Sequence, residues 1–237
     1  MTLFGALLPG GIFLASLISG MTGLAFPTVA GPLFLLSSEA VMLTALCSLT
    51  GQIVSFLSLR RTVPYVLRLQ LISGCIFGVP IGTTILLVTS RHVIGITIGV
   101  LLVLTTAWML VKPRVIVSAA HPVIEVIVGL VGGICGGMVG MSAAIPALWC
   151  VICGLRKDHQ RALLQPYIVV AQLISGCLLW RYGRLDPAVM HCFLILLAPI
   201  VIGSLLGAHV FRRFTSEMFV RAAILVTLLG GLVIMIE

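Results

Sequence analysis

Two short glycine-rich stretches hold the residues whose types and spacing could do chemistry. The first reads Ser19-Gly20-Met21-Thr22-Gly23 and the second Gly136-Gly137-Met138-Val139-Gly140, with Gly23 and Gly140 standing 117 positions apart. Each is followed by a polar amide in the next apolar segment, Gln52 and Gln172. Glycine turns the chain sharply and lets a ligand approach the backbone, whose N–H groups then serve as donors. Hydroxyls at or just past the clusters, Thr22 and Ser142, and the two glutamine amides add side-chain donors. That set suits a small oxyanion, with Gly20, Thr22, Gly23, Gln52, Gly137, Gly140, Ser142 and Gln172 as candidate binding residues. The same groups also serve in hydrogen bonds and close packing between helices, and the residues alone leave both readings open.

What must position them is a membrane scaffold. Of the 237 residues, 60% are hydrophobic and 8% charged, and the mean hydropathy is +1.28. A soluble chain of this size could not cover so much apolar surface, whereas a lipid bilayer favours it. The net charge of +8 comes from Lys and Arg scattered between apolar segments, so no nucleic-acid footprint forms. No cationic leader precedes the first apolar run, and no signal peptide is expected. The seven cysteines lie in apolar surroundings, and Cys150-x-x-Cys153 has no second pair or His partner at zinc spacing. Neither a metal nor a cofactor is expected.

Eight apolar segments are expected to be helical: 3–36, 40–59, 69–88, 93–110, 123–155, 162–180, 189–210 and 219–236. The first and fifth carry the glycine clusters and are too long for one crossing. As one helix the first would run about 50 Å, against a hydrocarbon core of about 30 Å. A broken, re-entrant hairpin fits the length. If both long segments return to their own side, Arg60, Arg61, Arg68, Lys112, Arg114, Arg156, Lys157, Arg161, Arg212, Arg213 and Arg221 share one face, against Arg91, Arg181 and Arg184. Eight simple crossings would instead divide these charges evenly and leave the positive-inside rule nothing to read. The reading is therefore an all-α polytopic membrane protein of two inverted repeats, each a hairpin plus three transmembrane helices. The first repeat spans 1–111, a linker 112–122 and the second repeat 123–237, with both termini outside. No basic residue is expected inside a span, which argues against an arginine clamp. Glu125 is expected at the interface, and His191 and His209 are open candidates for proton movement.

The two clusters, Gly20-Met-Thr-Gly-Leu-Ala-Phe-Pro27 and Gly137-Met-Val-Gly-Met-Ser-Ala-Ala-Ile-Pro146, each followed by a glutamine and a basic end, resemble the TauE/SafE-type sulfite exporter family of membrane permeases. The resemblance covers essentially the whole chain. It departs from the family's usual run of three glycines, with Ala25-Phe26-Pro27 in one copy and Ser142-Ala143-Ala144 in the other. It implies a secondary transporter, not an enzyme, in the cell membrane, moving a small sulfur-containing anion such as sulfite or an organosulfonate. Direction, coupling ion and homo-oligomerisation stay open. The rival readings are a passive anion channel and an intramembrane serine hydrolase using Ser142 with His191 or His209.

Overall fold

The computed structural model describes residues 2–23, 26, 30, 38–59, 68–90, 96, 99–100, 122–213 and 215. Among these residues there are seven helices and no strand. In chain order they are α1 (Thr2–Thr22), α2 (Ser38–Leu59), α3 (Leu69–Val88), α4 (Pro122–Val139), α5 (Ala144–Ile152), α6 (Lys157–Arg181) and α7 (Pro187–Phe211). Five of them, α2, α3, α4, α6 and α7, are long and apolar enough to cross a membrane. The chain is a polytopic membrane protein. Most of the segment expected at 93–110, all of that at 219–236, the linker up to His121 and most of the first hairpin's returning arm lie outside the described residues.

The long fifth segment is divided into two helices. The 18 residues of α4 run about 27 Å at the helical rise, whereas the nine of α5 reach only about 13 Å, too short to cross. Between them the chain turns through Gly140, whose φ is 80°. The same value, 80°, recurs at Gly23, where α1 ends.

Two helices bury polar stripes within an interior that also holds apolar clusters, while their outer faces are apolar. On α2, Thr44, Ser48, Gln52 and Ser55 form one buried stripe at helical spacing, while Ile53 and Leu57 on the outer face are exposed. On α6 the buried stripe is Arg161, Gln165, Gln172 and Ser175, with Leu173 and Trp180 exposed. Apolar residues gain nothing by hiding from hydrocarbon, whereas unpaired polar groups lose several kcal/mol there (about 4–8 against an alkane), so the usual amphipathic order is reversed.

Small residues let two pairs of helices touch backbone to backbone. In α3 and α4, Gly74 faces Val126, Gly78 faces Leu130 and Gly82 faces Ile134, so the two run in the same direction. In α1 and α7, a Cβ on Gly203 would meet Phe13 O at 2.7 Å, and one on Gly20 would meet Ser204 O at 2.6 Å. That pair is parallel as well, and each pair joins one half of the chain to the other. Across the centre, Gln165 reaches Gln52 while Met42 and Leu46 share a cleft with Gly176 and Trp180, so α2 and α6 cross antiparallel. Substitution discriminates these close approaches from idle glycines. Gly82→Val drives a side chain into Ile134's backbone and should lower the detergent melting temperature sharply, by the equivalent of about 2–3 kcal/mol or more. Gly176→Ala, with nothing within 4 Å of the new carbon, should leave it unchanged.

Candidate functional site

At each break one glycine closes a helix and one glutamine holds the closure. Gly23 N–H donates to Ser19 O at 2.6 Å, and Gly140 N–H to Gly136 O at 2.8 Å, the last backbone bonds of α1 and α4. The carbonyl beyond each would be an orphan acceptor. Gln52 Nε2 donates to Gly23 O at 2.8 Å, and Gln172 Nε2 donates to Gly140 O at 2.9 Å. Both glutamines are 2% exposed. The glutamines therefore cover the negative ends of α1 and α4, where a bare carbonyl would repel an anion.

The second tip also opens the start of α5. Its N-cap, Ala143, makes no side-chain cap bond, and Pro146 in its first turn has no N–H. Ala144 N–H reaches only Met141 O, at 3.5 Å. Ser142, 1% exposed, stands at this turn with no hydrogen-bond partner for Oγ. An uncapped helix start beside a free hydroxyl is a donor-rich place with a positive partial charge.

The other expected residues divide by role. Gly20 lies against Ser204 and Gly207 of α7, and Gly137 against Val79 and Thr83 of α3, so both serve close helix packing. Thr22 Oγ1 donates to Ile18 O at 2.9 Å, which occupies its only hydrogen. The Ser–His contact that the hydrolase reading needs is not formed, since Ser142 Oγ has no partner and His191 and His209 are exposed on α7. A cavity of about 220 Å³ opens between α2 and α6, lined by Gln172 among apolar side chains such as Met42, Leu49 and Leu173. An anion would be desolvated there with a single amide to compensate.

A model of the sulfite exporter TauE/SafE family matches residues 8–234, nearly the whole chain. The chain belongs to the TauE/SafE family. This is a family of membrane exporters, and the five apolar spans agree with an integral, multi-pass protein. No curated protein and no solved structure matches the chain.

Two features of this TauE/SafE protein escaped sequence reasoning. The expectation that no basic residue enters a span is overturned by Arg161. It sits in the second turn of α6 at 2% exposure, with Nη1 donating to Met21 O at 3.2 Å and its guanidinium 4.4 Å from the Phe211 ring centre. Lys157 lies over the same ring at 4.7 Å. A Cβ on Gly23 would lie 3.7 Å from Arg161 Cγ, so the cation stands at the first tip. Its signal was its phase: Arg161 shares the stripe of Gln165, Gln172 and Ser175, and α6 starts five residues before the expected span. The second feature is Glu125, which is buried in the first turn of α4 and paired with Arg68 at the start of α3.

Proposed function

We propose that this TauE/SafE member is a secondary transporter that moves a small sulfur oxyanion, sulfite or an organosulfonate, across the cytoplasmic membrane by alternating access. The observation that carries the reading is the duplicated tip: a glycine at φ 80° whose carbonyl is held by a glutamine, once in each half. We assign the site to Gly23, Gln52, Gly140, Ser142 and Gln172, with Gly20, Thr22 and Gly137 shaping the tips. The two halves, 1–111 and 123–237, are inverted repeats joined by 112–122. Helix directions support this: α1, α2 and α7 run one way, and α3, α4 and α6 the other. A duplicated, inverted unit offers two arrangements related by exchanging the roles of its halves, which is what alternating access requires.

The donors bind an anion without neutralising it. Backbone N–H groups at the start of α5 and the Ser142 hydroxyl replace water at the second tip, and the Gln172 amide screens the nearest carbonyl. At the first tip Gln52 and Arg161 cover the carbonyls of Gly23 and Met21. A site of neutral dipoles with one peripheral cation holds an anion weakly enough to release it. Gln165 of α6 pairs with Gln52 itself, seven residues before Gln172, so the two tip glutamines differ in depth by roughly 10 Å. Each is placed to serve one side of the membrane.

Sulfite flux in sealed proteoliposomes tests this. Gln52→Ala and Gln172→Ala each remove an interhelical hydrogen bond worth only about 1 kcal/mol in a membrane, so the protein should remain folded. Saturable sulfite flux should nonetheless drop at least roughly tenfold in each, because an exposed carbonyl then faces the anion. Full flux in both variants would remove the site assignment, and flux without saturation would favour a channel.

A further inference from the structure

Each tip glutamine keeps one polar atom with nothing to bond. Nε2 is held by the glycine carbonyl, while Oε1 of Gln52 and Oε1 of Gln172 are buried and have no hydrogen-bond partner. Within an amide the oxygen lies about 2.2 Å from the nitrogen, from the standard bond lengths. Both free oxygens therefore stand at the tips, beside Gly23 and Gly140. A buried acceptor without a donor is costly, and the coincidence of the same atom in both halves is not accidental crowding.

A bare amide oxygen is the wrong partner for a fully ionised oxyanion, whose oxygens are all acceptors. It is the right partner for an anion that brings its own hydrogen. At the second tip the complement is complete: Ser142 Oγ and the uncapped start of α5 donate to ionised oxygens, and Gln172 Oε1 accepts from an O–H. Resting on the functional reading above, we propose that the protein carries its sulfur oxyanion in the singly protonated form, with the O–H of the anion donating to Gln172 Oε1 at one tip and Gln52 Oε1 at the other. Hydrogen sulfite has that pattern, and the sulfite dianion does not. The proton then crosses with the anion, bound to it, and no intramembrane carboxylate is needed to carry it. Glu125, the buried carboxylate among the described helices, is already committed to Arg68.

The test is the charge carried per sulfite. The full-length protein is placed in sealed liposomes, and radiolabelled sulfite uptake and transport current are recorded together at a mildly alkaline pH where the dianion predominates in solution. One negative charge per sulfite is expected. Sulfate, a dianion of similar size that stays unprotonated there, should not compete when present in roughly tenfold excess, since it leaves the acceptors unpaired. Saturable uptake with two charges per sulfite overturns this inference while leaving the transporter reading intact, and effective competition by sulfate does the same. Absence of saturable sulfite movement from folded protein overturns the transporter's substrate and this inference together.

Discussion

Gly23→Leu and Gly140→Leu should each abolish anion transport while the protein still inserts and folds. At φ 80° a leucine side chain crowds its own backbone, at about 1–2 kcal/mol, and the chain relieves that strain by leaving the conformation. The site loses its geometry because the carbonyl bonded by Gln52 or Gln172 belongs to the glycine itself. At Gly23 the strain is conformational and not steric, since the nearest atoms to an added carbon are those of Arg161 at 3.7–3.8 Å, an ordinary contact. That distinction makes the prediction sharp. Gly23→Asn, which tolerates the left-handed region, should keep much more flux than Gly23→Ala, and Gly23→Leu the least. Flux is measured with purified protein in liposomes, and melting in detergent reports folding. Equal flux in the asparagine and leucine variants would show that the backbone conformation at the tip is irrelevant to transport.

Much of the scaffold was legible because membrane helices announce themselves by length and charge. Residues 69–88 form α3, and the fifth apolar segment is interrupted at Gly140, inside the second glycine cluster. The glutamines were legible too, since a lone amide in an apolar run needs a partner. Their partners were not. That the amide nitrogen would bond the glycine carbonyl and leave the oxygen free depends on the rotation of α2 and α6, which hydropathy does not encode. The distinction between Gly20 and Gly23 was hidden for a similar reason. Both are glycines of one cluster, but Gly20 is required by the backbone of α7, whose approach is a tertiary fact, whereas Gly23 is required by its own φ. Arg161 was lost to a boundary: an apolar-run rule starts a membrane helix after the last charge, and here the helix begins earlier and buries the charge against Phe211 and Met21.

Reporter fusions placed after Arg61 and after Lys157 should both report the cytoplasmic side, an all-or-none outcome. Eight simple crossings would put these two points on opposite sides. The contacts gather Ser58, shortly before the first point, and Lys157 at one end instead. Arg212 Nη2 at the end of α7 donates to Ser58 O at the end of α2, at 3.0 Å, and Lys157 Nζ at the start of α6 donates to Phe211 O at 3.3 Å. The paired Arg68 and Glu125 join the starts of α3 and α4, and only a short connection separates Arg68 from the end of α2. Basic residues therefore accumulate at the end where α2 and α7 finish and α6 begins, whereas Arg181 and Arg184 lie at the far end of α6. Membrane insertion retains such clusters inside. A fusion after Gly183 should accordingly report the outside. Opposite locations for the first two fusions would require Ser58 and Lys157, each bound to the same turn of α7, to stand on different faces of the membrane.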